Sequence, residues 1–109
     1  MTLREPTFLI LAALAPEPLH GYGVIREVEK LSEGRVCLRP GTLYTALDRL
    51  TGEGSLTAGG EEVVDGRRRR YYQITEQGLE VLRDGLAELE SNAKAARGQL
   101  ARHPRLEPT

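Results

Sequence analysis

A chain of 109 residues, 39% of them hydrophobic, builds one domain with at most an appended element and leaves no room for a typical multi-domain enzyme. Its formal net charge of −1 hides an uneven distribution: Arg67, Arg68, Arg69 and Arg70 form an uninterrupted basic run, while the region after Thr75 leans acidic, so local charge says more about partners than global charge. The lone Cys37 excludes an intrachain disulfide and fits a reducing, cytoplasmic setting; His20 and His103 lie too far apart to suggest a metal site; and the longest apolar run, residues 8–15, is much shorter than a membrane span.

The first helix starts between Leu3 and Pro6, because Thr2-Leu3-Arg4-Glu5 resembles a capping box and Pro6 fits the first helical position. From Phe8 to Leu14 it is apolar all round and asks for cover on more than one side, more than a small domain easily supplies. Pro16-Glu17-Pro18 ends it. Leu19-His20-Gly21-Tyr22-Gly23 then opens a second helix, with Ile25, Val28 and Leu31 inward, Arg26, Glu27, Glu29 and Lys30 outward, and Gly34 as C-cap. The link up to Gly41 includes Val36-Cys37-Leu38, a short strand or extended segment. It is longer than the turn of about three or four residues in a tight helix-turn-helix, which points to the winged variant.

The stretch from Pro40 to Leu50 organises the rest. Pro40 and Gly41 break what precedes them, and Thr42 is expected to cap a third helix with its hydroxyl. Leu43, Ala46, Leu47 and Leu50 fall at i, i+3, i+4 and i+7 and form one apolar stripe. Thr42, Thr45, Asp48 and Arg49 then point outward, with Tyr44 on the flank. Such a face suits a surface laid against something else, although an ordinary amphipathic helix also fits these residues taken alone.

Gly52 and Gly54 stop this helix. Residues 56–64 form a strand weakened by Gly59 and Gly60, Asp65-Gly66 is a type I′ hairpin signal, and residues 67–74 return, placing four arginines at the tip. Tyr71 and Tyr72 point to opposite faces. Thr75 caps a last helix, in which Leu79, Leu82, Leu86, Leu89, Ala93, Ala96 and Leu100 alternate spacings of three and four. Extending to Leu100, this helix is about 38 Å long at about 1.5 Å per residue, and its far half needs a partner. Gly85 beside the seam permits a close helix approach or merely weakens the helix locally.

The expected fold class is therefore mainly α with a small β-hairpin: a winged helix-turn-helix domain over residues 1–74, a dimerisation helix over 75–101 and a flexible tail over 102–109. No carboxylate pair, activated nucleophile or metal set points to catalysis, and no cofactor or membrane contact is expected. The third helix can enter a major groove of double-stranded DNA, with Thr42, Tyr44, Thr45 and Arg49 offered to base edges. Arg67, Arg68 and Arg69 of the hairpin reach the backbone or the minor groove. An arginine run alone would equally be a solvated face or a protected edge strand. Tyr22 is first a packing residue and secondly a phosphate contact. For a homodimer, Phe8, Leu11, Leu82, Leu86, Leu89, Ala93 and Ala96 are the interface candidates. A winged-helix module that binds protein instead of DNA is the alternative.

Leu19-His20-Gly21-Tyr22, Pro40-Gly41-Thr42-Leu43-Tyr44 with Leu47 and Leu50, and Arg68-Arg69-Arg70-Tyr71-Tyr72 before Thr75-Glu76-Gln77-Gly78 closely resemble the PadR-like transcriptional regulators over about residues 3–90. The resemblance implies a dimeric repressor on a palindromic operator, often at its own promoter or that of a neighbouring efflux or detoxification gene. It assigns DNA contacts to Thr42, Tyr44 and the wing arginines, and dimerisation to the last and first helices. One C-terminal helix and a short tail place the chain with the short branch. Some relatives hold a small-molecule inducer between tryptophans, but this chain has no Trp, so such control would use an apolar pocket near Phe8, Leu11 and Leu86 or be absent.

Overall fold

The computed structural model describes residues 3–106, with elements in the order α1 (Glu5–Leu14), β1 (Leu19–His20), α2 (Gly21–Leu31), α3 (Pro40–Gly52), β2 (Leu56–Val64), β3 (Arg67–Ile74) and α4 (Glu76–Ala101). The three strands form one antiparallel sheet in the order β1-β3-β2. This is a winged helix-turn-helix with a long C-terminal helix, as the residue pattern predicts, and the chain measures 65 × 27 × 22 Å. The pattern does not foresee β1, whose two residues pair with Tyr71 and Tyr72 and bind the start of α2 to the wing.

The core lies where α1, α2, α3 and the base of the hairpin meet. Ile10, Leu11 and Leu14 of α1, Val24 and Val28 of α2, Leu43, Leu47 and Leu50 of α3, Leu56 and Tyr72 fill it. Fully burying one such aliphatic side chain contributes about 1.5–3 kcal/mol, so the α3 stripe alone anchors that helix firmly. In α2 the inward face is Val24 and Val28; Ile25 is only partly covered, and Leu31, expected inward, is exposed. The helix turns out of the core before its last residue. Ser32 closes the turn, its buried hydroxyl accepting from Val36 N–H (2.9 Å) and donating to Glu29 C=O (3.3 Å). Val36-Cys37-Leu38 is an extended link and not a strand.

Other expectations also need correction. Thr42 does not cap α3: the helix begins two residues earlier at Pro40, whose fixed φ and missing N–H suit the first position, and Arg39 occupies the cap without a side-chain bond. Leu11 is not an interface residue, because its own domain buries it completely. The apolar first helix obtains most of its cover internally, leaving Phe8, Leu9 and Ala12 partly open. The capping box at the start of α1 falls partly on Thr2, outside the described residues; Arg4 takes the cap position and its side chain makes no cap bond.

The hairpin follows its sequence signals closely. Asp65 and Gly66 have φ of 52° and 76°, the double positive φ that a type I′ turn requires. Gly59 and Gly60 fall where the ladder slips between Ala58 and Glu61, a bulge that re-aims the outer half of the wing. Thr75 caps α4 by accepting from Gly78 N–H (3.0 Å) while its hydroxyl donates to Gly54 C=O (2.6 Å). Gln77 donates to Glu53 C=O (2.8 Å), so the end of α3 is tied directly to the start of α4. At Gly85 a Cβ would stand 2.9 Å from Leu3 Cδ1 and 3.3 Å from Phe8 Cδ1; the glycine is what lets α1 and α4 approach. Beyond α4, where the sequence suggests a tail, Pro104–Leu106 close one 3-10 turn.

Candidate nucleic-acid interface

The site begins at the junction of β1 and α2. His20 is the N-cap of α2, and its Nδ1 accepts from Gly23 N–H at 3.2 Å. Its ring stands edge-on to Tyr71, centroids 5.5 Å apart, and its Nε2 is 3.2 Å from Arg69 Nη1. Gly21, next along, is buried beneath Tyr44: a Cβ there would meet the Tyr44 hydroxyl, with Cζ at 2.7 Å. A side chain at that position would displace the ring, so the glycine is what permits α3 to lay Tyr44 over the start of α2.

These residues border a cleft of about 100 Å³ lined by His20, Gly21, Tyr22, Tyr44 and the four arginines Arg67 to Arg70. Tyr22 and Tyr44 are 52% and 41% exposed, so their rings stand at the mouth of the cleft and not in the core. Tyr72 is the core tyrosine and Tyr71 the one packed on His20, which resolves the opposite-faces expectation.

Register divides the arginine run. Arg70 lies opposite Glu61 and Arg69 opposite Glu62, so Arg68 and Arg70 share a face with Glu61, and Arg67 and Arg69 share the other with Glu62, Tyr71 and His20. Glu61 stands 3.7 Å from Arg68 and 3.8 Å from Arg70, loose exposed pairs worth little to stability. The Glu62 carboxylate, on the same face, raises the Tyr71 phenol above its ordinary pKa. Partial burial, with Arg69 and Arg26 adding to it and Glu62 opposing, lowers the His20 imidazole below its ordinary value.

Of the remaining sequence candidates, Thr42 and Thr45 are exposed on the outward face of α3 but do not line the cleft. Thr45 donates its hydroxyl to Gly41 C=O (3.0 Å). Arg49 is not brought to the cleft. It lies in the last turn of α3 and donates to Thr7 (3.0 Å) and Glu53 (3.3 Å), clamping α3 to α1. His20 was missed as a member of the site. Its residue type before a Gly-Tyr-Gly helix start was visible, but its partner, Arg69, lies across a strand pairing that no local pattern reveals.

The distal part of α4 and the open edge of α1 make a second surface. Leu3, Glu5, Phe8, Leu9, Arg35 and Leu89 line an apolar hollow of about 310 Å³, rimmed by the Glu5–Arg35 ion pair at 2.9 Å. It includes Phe8 of the expected pocket but neither Leu11 nor Leu86. Leu82 packs partly against the core, Ala93 is partly covered, and Leu86, Leu89 and Ala96 are exposed.

Comparison with known proteins agrees with this architecture. The family model described as "Transcriptional regulator PadR-like family" matches residues 10–84. Transcriptional regulator Rv3488 of Mycobacterium tuberculosis is 37% identical over 89 residues, 82% of this chain and 79% of that protein. A PadR family transcription regulator from Clostridium difficile has a similar fold, with a TM-score of 0.74 at 24% identity over 89% of this chain and 99% of that one. Bacillus subtilis PadR, solved in complex with operator DNA, matches with a TM-score of 0.67 at 24% identity over 76% of this chain and 47% of that one. The family match spans α1 residue Ile10 through the first third of α4 and takes in the whole cleft. The chain belongs to the PadR-like family of transcriptional regulators.

Proposed function

We propose that this chain is a sequence-specific duplex DNA-binding regulator that acts as a homodimeric repressor on a palindromic operator. The observation that carries the reading is the convergence of Tyr44 from α3, Tyr22 from α2 and the wing arginines on one cleft. In this reading Thr42, Tyr44 and Thr45 meet base edges in the major groove, while Tyr22, Arg67, Arg68 and Arg69 meet the backbone or the minor groove. Arg49 has a structural role through Thr7 and Glu53. The operator complex of Bacillus subtilis PadR supports DNA as the partner by likeness of fold.

Leu82, Leu86, Leu89, Ala93 and Ala96 of α4, with Phe8 of α1, would form the interface between two chains in the cytoplasm. Recognition helices in such a dimer stand about 34 Å apart, one duplex turn, which implies a two-fold operator. The apolar hollow beside Phe8 and Leu89 is where a small-molecule inducer would act, without an aromatic sandwich.

The test is fluorescence anisotropy with the DNA immediately upstream of the gene and an unrelated duplex, across a salt series. Selective binding with a steep negative salt slope is expected. Equal binding to both duplexes would refute sequence specificity, and no binding at low salt would favour a protein-binding winged helix. Tyr44→Ala is expected to erase the preference between duplexes, while Arg68→Gln weakens both and lowers the salt slope by about one.

A further inference from the structure

A neutral imidazole has one lone-pair nitrogen and one N–H. At His20 the lone pair is already used: Gly23 N–H donates to Nδ1 and completes the cap of α2. The ring proton therefore resides on Nε2, which faces Arg69 Nη1 at 3.2 Å. Arg69 has no lone pair to offer, so two donors point into the same small space.

The alternative tautomer would let Nε2 accept from Arg69 but would leave the Gly23 N–H without its acceptor. Protonating both nitrogens would lose the cap and place a second positive charge beside Arg69. Neither state satisfies every group, and no carboxylate fills the gap: among the described residues Glu62 shares the face but makes no ion pair with Arg69, and Glu61 pairs with Arg68 and Arg70. The other groups facing the ring are Arg26 on α2 and Tyr71 on β3, neither of which offers a negative oxygen at neutral pH. One anionic oxygen accepting from both Nε2–H and Nη1–H satisfies all of them together.

We propose that His20 and Arg69 form a two-donor seat for a single backbone phosphate of duplex DNA, with His20 acting as its neutral Nε2–H tautomer. This rests on the DNA-binding reading above. Two features of the place suit that ligand: the seat opens into the arginine-lined cleft, and the positive end of the α2 dipole lies at His20. Because His20 also belongs to β1, the seat fixes the distance between the wing and α2 at the moment DNA is held. A phosphate there would register the duplex relative to Tyr22 and Tyr44.

The test combines substitution with the ring's own signature. His20→Asn keeps a good N-cap but does not reach the seat, so the fold is retained. Its affinity is expected to fall about tenfold on cognate and unrelated duplexes alike, with the salt slope unchanged because a neutral donor is lost. Arg69→Gln should lower affinity and also the slope, by about one. The double variant should lose little more than the larger single loss, since both groups hold one phosphate.

Long-range 1H–15N NMR of the wild-type chain reads the seat even if His20→Asn folds poorly: Nδ1 unprotonated, Nε2 protonated, and the Nε2 signal shifted by added duplex. Additive losses, a protonated Nδ1 in the free protein, or unchanged affinity in His20→Asn would each overturn the seat while wild-type DNA binding remained intact. Failure of the wild-type chain to bind any duplex would overturn the DNA-binding reading itself, and the seat with it.

Discussion

The hairpin and α4 both extend beyond the core, and their surfaces are finished in opposite ways. On the hairpin, Glu61 and Glu62 face Arg70 and Arg69 across the ladder, so an outer strand that could recruit another sheet edge is covered with charge. Among its described residues Val63 is the large apolar side chain left open. On α4, Leu86, Leu89 and Leu100 are roughly half exposed, at 47%, 46% and 57%. The hairpin is complete as a single chain and offers its unused charge to a charged partner. The helix leaves a row of leucines open to water, a surface that an apolar cover would stabilise.

The strongest way to break this contrast is to charge the seam. Leu86→Asp together with Leu89→Asp should leave the fold of the single chain intact, since both side chains are exposed in it. If they are buried between two copies, each substitution acts twice. At about 1.5–3 kcal/mol for fully burying a leucine, with about half of each side chain left to bury, the dimer dissociation constant should rise at least about a hundredfold. Sedimentation at micromolar concentration is expected to show a dimer for the unchanged chain and a monomer for the variant. A variant that still sediments as a dimer would remove the seam from the interface.

The same substitution at two glycines separates stability from recognition. At Gly78 a Cβ would press on Ser55 C=O, which is backbone, and lie 2.7 Å from Ile74 Cγ1. Gly78→Ala must therefore push the start of α4 off Ser55 and the end of β3, at a cost of about 1–3 kcal/mol in denaturant unfolding. At Gly21 the neighbour is the far end of the Tyr44 ring, which can swing aside. Gly21→Ala should unfold within about 0.5 kcal/mol of wild type yet lose discrimination between cognate and unrelated duplexes several-fold. Retained discrimination would show that the position of the Tyr44 ring is unimportant for reading sequence.

What could be read from the chain alone was set by local rules. The turn at Asp65-Gly66, the strand limits on either side of it, the Thr75 cap and the α3 stripe of Leu43, Leu47 and Leu50 each depend on residues close in sequence, and each is found where expected. The misses arose where two local signals competed or where the cause was distant. Thr42 offered a cap, but Pro40 two residues earlier was the stronger start. Leu31 continued the α2 spacing, but the core had already ended. Leu11 matched an interface pattern on a helix whose cover came from its own domain. The capture of Arg49 by Thr7 and the meeting of His20 with Arg69 span 42 and 49 residues, distances over which periodicity carries no information.

The smallest expected effect concerns the balance between the two ends of the His20 ring. Partial burial, then Arg69 and Arg26, hold the folded imidazole below its ordinary pKa of about 6.5, with Glu62 opposing. Between that lowered value and about 6.5 the unfolded chain binds more protons than the folded one, so stability rises with pH there. The contribution is fully present above about pH 6.5 and is lost as pH falls through the folded value. His20→Asn retains a cap but cannot titrate, so its stability should fall less than that of the unchanged chain between about pH 7.5 and 5.5. Denaturant midpoints across that range measure the difference. Parallel declines would mean that the ring has the same proton affinity folded and unfolded, and hence that burial and its two arginine neighbours do not outweigh Glu62. A steeper decline in the unchanged chain would place the cost of protonation at the joint between α2 and the wing, where the hairpin meets the core.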